Sequence, residues 1–253
     1  MSRLSSEVVP ERYFLDLKVD PHLDQFSGRV EIQLRAPEKT RLIELHAVDL
    51  EIGSASASDS AGEIPLAVGK GLTLNAKRET LRVRLSRPTR SSAVTLTFEY
   101  TGPLRSDLRG LYLARSGKRR LASTQLEATD ARRMFPCFDE PNKKARFTLQ
   151  VTTPKRNQLV SNSAIEKERT QGRNKTVLFR ETPPLSTYLI ALIVGELEHS
   201  RARRHGETPI RVWHVPGKGQ LTRFALETAA ASLARLERYF GLPYPYEKLD
   251  LIA

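Results

Sequence analysis

No long apolar run interrupts this 253-residue sequence. A membrane-spanning helix needs about 18 or more consecutive apolar residues. The longest apolar run here, Leu189 to Val194, has the length of a buried strand. Cysteine occurs once, as Cys137, so no intrachain disulfide can form and a reducing, cytoplasmic setting is expected. Met1 to Pro10 has no apolar core, and no secretory leader is expected. The five histidines are His22, His46, His199, His205 and His214. No two of them flank a glutamate at a spacing of four, so the helical His-Glu-x-x-His arrangement that binds zinc is absent. Neither a metal ligand nor a catalytic residue is therefore expected within this chain.

Positive charge is not scarce. The formal net charge is +12, with clusters at Lys118-Arg119-Arg120, Lys143-Lys144-x-Arg146 and Arg201-x-Arg203-Arg204. A groove for single-stranded nucleic acid interleaves such charge with aromatic rings. These clusters have none between them, so they read as solvated faces, and no nucleic-acid partner is expected.

The first two hundred residues alternate with period two. Tyr13, Leu15, Leu17 and Val19 are interleaved with polar neighbours, as are Val30, Ile32 and Leu34, then Leu81, Val83 and Leu85, then Val94, Leu96 and Phe98. One buried and one wet face per strand is the mark of antiparallel sheets. Turn signals separate them at Asp20-Pro21, Ala36-Pro37, Asp59 to Gly62, Gly69 to Gly71 and Thr101-Gly102-Pro103. The expected fold is mostly β, with a large antiparallel saddle- or sandwich-like domain.

The pattern changes after Arg201 to Gly206, a polar, linker-like stretch. A strand is expected over Pro209 to Val215 and a helix over about Leu221 to Phe240, with Gly241 as a left-handed C-cap. Leu221, Phe224, Ala225, Leu233, Leu236 and Phe240 are expected on its buried side. Leu249 to Ala253 reads as a strand cut from a larger domain, since a terminal apolar strand leaves backbone groups unpaired.

One segment stands apart: Thr124 to Pro141, TQLEATDARRMFPCFDEP. On an extended backbone Gln125 and Glu127 point to the same side, with Leu126 turned inward. A carboxylate beside an amide oxygen suits an ammonium group, which offers three donors. Pro136 and Pro141 stiffen the turn that follows, Asp139 can close it, and Arg132 and Arg133 can pair with Asp139 or Glu140. Cys137, flanked by apolar residues, reads as a buried small hydrophobe.

This segment resembles the aminopeptidase N-like zinc metallopeptidases. Other stretches resemble the family in the same order: Val9-Pro10-Glu-Arg-Tyr13, Phe26-Ser-Gly28, Arg109-Gly-Leu-Tyr112, Glu181 to Ala191, Phe224-Ala-Leu-Glu227, Tyr239 to Tyr246 and Lys248-Leu-Asp250. The resemblance implies an all-β N-terminal domain over residues 1–203. Over 204–253 it implies the first strand, helix and strand of a truncated α/β, thermolysin-like catalytic domain. It implies that Gln125 and Glu127 bind the free amino terminus of a peptide, and that the Glu127–Ala128 peptide bond is cis. It also implies that zinc belongs to the complete enzyme, which removes amino-terminal residues one at a time, and that this chain alone is inactive without its catalytic domain. The alternative is a non-catalytic β-domain that binds a peptide N-terminus or a protein partner.

Overall fold

Alternation of apolar and polar residues turns into burial strand by strand in the computed structural model, which describes residues 3–253. The largest sheet has eight strands. In spatial order they are Ile165–Gln171, Asn174–Phe179, Arg146–Pro154, Val9–Lys18, Gln25–Arg35, Ala93–Pro103, Glu51–Asp59 and Gly62–Ile64. Val9–Lys18 runs parallel to Arg146–Pro154 and all other neighbours are antiparallel. Tyr13, Leu15 and Leu17 are buried, as are Val30, Ile32 and Leu34 on the neighbouring strand. The expected turn at Thr101-Gly102-Pro103 is instead the end of a strand, pairing with Gln25 to Ser27. Gly102 serves there by leaving room: a Cβ would lie 2.6 Å from the Phe26 ring.

A three-stranded sheet, Leu42–His46, Thr80–Arg84 and Leu72–Asn75, supplies Ile43, Leu45, Leu81 and Val83 to the same core. A four-stranded sheet supplies Leu111, Ala122, Leu192 and Val194; its order is Gln158–Ser161, Leu192–Gly195, Arg119–Gln125 and Gly110–Ser116. Three sheets thus share one apolar cluster, the sandwich-like arrangement that the many short strands predict. At its centre the Tyr13 and Phe147 rings stack at 4.7 Å, and Phe135 meets both edge-on.

The C-terminal part forms a separate small sheet. Thr208–His214 pairs with Glu198–His199 and with Arg203–His205, both antiparallel, and with Leu249–Ile252 in parallel. The stretch expected as a linker therefore holds one arm of a hairpin. The helix spans Arg223–Phe240 and ends at Gly241 with φ 66°, the left-handed cap that the sequence predicts. Its buried face keeps Leu233 of the expected set and is otherwise shifted. Ile210 packs on Ala230 and Leu233, with Leu226 and Ala229 beside them. Phe224, Leu236 and Phe240 are exposed.

Candidate functional site

Gln125 is the last residue of the strand Arg119–Gln125, held on both sides. On one side it pairs with Gly110. Gly110 has φ 66°, and a Cβ there would lie 2.7 Å from the Cβ of Arg133, so glycine is required where the hairpin passes the turn. On the other side the Leu192 N–H donates to Thr124 Oγ1 at 3.0 Å. Leu126 is buried, while Gln125 and Glu127 are exposed. Glu127 lies just past the strand, in a turn closed by the Asp130 N–H on the Leu126 carbonyl at 2.9 Å. The Glu127–Ala128 peptide bond is cis. Among the described residues neither the Gln125 nor the Glu127 side chain has a hydrogen-bond or ion-pair partner.

The residues that follow are bound tightly. Arg132, 2% exposed, opens a polar network beneath the turn. Its Nε donates to Asp139 Oδ2 at 2.9 Å, its backbone N–H to the same oxygen at 3.3 Å, and its Nη1 to Glu79 Oε2 at 2.7 Å. Thr187 Oγ1 donates to Asp139 Oδ1 at 2.6 Å, and the Asp139 N–H donates to His46 Nδ1 at 3.2 Å. Both carboxylate oxygens are thereby satisfied, which a buried ion pair needs in order to persist. His46 is pushed down to about 4 by burial, then by the Arg132 charge, so its imidazole is neutral and free to accept at Nδ1.

Arg132 thus takes the expected partner. Arg133 does not: it pairs with Asp130 at 2.8 Å and with Asp49. Glu140 instead accepts the Leu4 N–H at 2.8 Å. Burial pushes the Cys137 thiol up, and the residue packs as a small hydrophobe with Phe135 and Phe138 in the core. Sequence reasoning overlooked His46, Thr187 and Glu79 as supports of this turn. It also overlooked Lys143, whose Nζ donates to the carbonyls of Ser5 at 2.7 Å and Val8 at 2.6 Å.

The protein's histidines are dispersed. His46 serves the turn, His205 Nε2 meets Glu237 at 2.6 Å, and His214 Nδ1 faces the Val215 carbonyl. Among the described residues no group of three or more histidine, cysteine, aspartate or glutamate side chains is placed to hold a metal. The residues present therefore do not fit a zinc ion.

Comparison with known proteins decides the family. The model of the peptidase M1 N-terminal domain matches residues 9–189. The chain belongs to the peptidase M1 N-terminal domain family. Aminopeptidase M1-A of Oryza sativa subsp. japonica is 35% identical over 260 residues, covering 100% of this chain and 29% of that protein. Aminopeptidase M1 of Arabidopsis thaliana is 34% identical over 257 residues, covering 99% of this chain and 29% of that protein. The puromycin-sensitive aminopeptidase of Caenorhabditis elegans is 32% identical over 260 residues, covering 99% and 27%. This peptidase M1 N-terminal region thus spans less than a third of the length of these relatives. No helix among the described residues is long and apolar enough to cross a membrane.

Proposed function

We propose that this chain is the substrate-recognition portion of a zinc-dependent aminopeptidase, and that Glu127, with Gln125 beside it, receives the free amino terminus of a peptide. One observation carries this reading. Glu127 and Gln125 stand exposed and unpartnered among the described residues, while the side chains of Arg132 and Asp139 beneath them are consumed by internal bonds. A carboxylate without an internal partner, on a turn held from below, is prepared for a ligand cation. Gln125 adds an amide that can accept from the ammonium or donate to a substrate carbonyl.

The names of the relatives support peptide substrates. In this reading residues 1–203 are the N-terminal domain and residues 204–253 begin a catalytic domain. That domain supplies the zinc site and is the principal partner, and the chain alone is inactive. The strand–helix–strand unit from Thr208 to Ile252, with its two strands parallel, supports that assignment. A cytoplasmic setting belongs to the same reading, on the strength of the single cysteine.

The test is Glu127→Ala in the full-length protein. The expected loss in kcat/KM on a leucyl anilide corresponds to about 2–5 kcal/mol, as for removing one partner of a desolvated charge pair. An unchanged kcat/KM would remove Glu127 from recognition.

A further inference from the structure

We propose that Asp139 is a positioning residue for Glu127, acting through Arg132 and the turn between them. This rests on the reading of Glu127 as the ammonium-binding carboxylate. Glu127, Ala128 and Thr129 make no side-chain hydrogen bonds among the described residues, so the turn does not hold itself. Its one internal bond is main-chain, from the Asp130 N–H to the Leu126 carbonyl. Two contacts fix its far end: Arg133 Nε donates to Asp130 Oδ1 at 2.8 Å, and in the short 3₁₀ turn Ala131–Arg133 the Arg132 N–H and Nε both donate to Asp139 Oδ2.

Asp139 is in turn anchored from three directions. Thr187 binds its second carboxylate oxygen, His46 accepts its N–H, and Arg132 Nη2 donates to its carbonyl at 3.3 Å. Arg132 is braced independently, its carbonyl accepting from the Val48 N–H at 2.9 Å. Thr129, Arg132, Asp139 and His46 line one cavity of about 560 Å³, which places the turn of Glu127 and its support against the same space. A recognition carboxylate must be held to within about 0.5 Å to act, and here that constraint comes from a residue twelve positions along the chain.

The alternative role for Asp139 is stability alone, and a double-mutant cycle separates the two. Hydrolysis of a leucyl anilide by the full-length protein is measured for Asp139→Asn and Thr187→Val, each with Glu127 present and in the Glu127→Ala background. With Glu127 present, kcat/KM is expected to fall about tenfold for Asp139→Asn and about threefold for Thr187→Val. In the Glu127→Ala background each is expected to lose less than about twofold, because nothing remains to be positioned. Equal losses in both backgrounds would overturn the inference. If Asp139→Asn fails to fold, Thr187→Val, which removes one hydroxyl, carries the cycle to the same decision. If Glu127→Ala alone leaves kcat/KM unchanged, the reading of Glu127 falls first and the positioning role with it.

Discussion

The sandwich of residues 9–195 and the helix-bearing unit that follows it treat their apolar side chains in opposite ways. In the three sheets of the former, alternate residues of most strands are buried, the greater part of them in one cluster, and Phe135, Phe138 and Phe147 are wholly buried. In the latter, the apolar burial is small: Ile210, Ala230 and Leu233 form one cluster, and Val212 is buried on the same strand as Ile210. Of the fourteen large hydrophobics exposed among the described residues, seven lie between Leu221 and Ile252. A sheet with period two has one apolar face and one partner to find. A helix with apolar residues on two sides satisfies one side and leaves the other open. The segment that carries Gln125 and Glu127 lies on the closed side of this divide, with Met134, Phe135, Cys137 and Phe138 buried in the large core.

The largest effect that would break the comparison lies in that core. Phe147→Ala removes the ring stacked on Tyr13 and touched by Phe135. The expected loss is about 3–5 kcal/mol of unfolding free energy, read from chemical denaturation. A loss below about 1 kcal/mol would mean that the core collapses around the gap and is not packed as described.

The next effect is a pH dependence. His46 titrates at about 4 in the folded protein because it is buried beside Arg132, against about 6.5 unfolded. The unfolded chain therefore binds more protons between these two values. The stability contribution is complete above about pH 6.5 and is lost progressively as pH falls to about 4, amounting to on the order of 3 kcal/mol. His46→Gln, which keeps an acceptor for the Asp139 N–H, is expected to flatten the unfolding profile across this window. An identical slope in the variant would assign the pH dependence to other groups.

Much of the fold was legible because local pattern and burial coincide. Tyr13, Leu15 and Leu17 show it on one strand, and the αL cap at Gly241 shows it at the helix end. Gln125, Leu126 and Glu127 were legible for the same reason, since exposure alternates along three consecutive residues. The support of the site was not. Asp139 meets Thr187 across 48 positions and His46 across 93, and no periodicity links such residues. Arg133 shows the limit within a single turn: its neighbour takes Asp139, and only the fold brings Asp49 to Arg133. On the helix the expected face holds at Leu233 and fails at Phe224, Leu236 and Phe240, which are exposed while Ala230 is buried. Which side of a helix meets a strand is set by the tertiary arrangement, and hydrophobicity along the helix does not carry it.

The smallest effect sharpens the comparison most, because it uses one helix and one residue type. Leu233 is 5% exposed and Leu236 is 51% exposed, three positions apart on Arg223–Phe240. Leu233→Ala opens space against Ile210 and is expected to cost about 2–3 kcal/mol. Leu236→Ala removes a side chain already in water and is expected to stay within about 0.5 kcal/mol. Both follow from denaturation of the same protein. Equal costs at the two positions would show that the outer face of the helix is covered when the protein is folded, and that the two regions bury their apolar residues alike. Unequal costs would leave Phe224, Leu236 and Tyr239 as an uncovered apolar face of the helix, in contrast to the turn of Glu127, which is followed by residues bonded within the core.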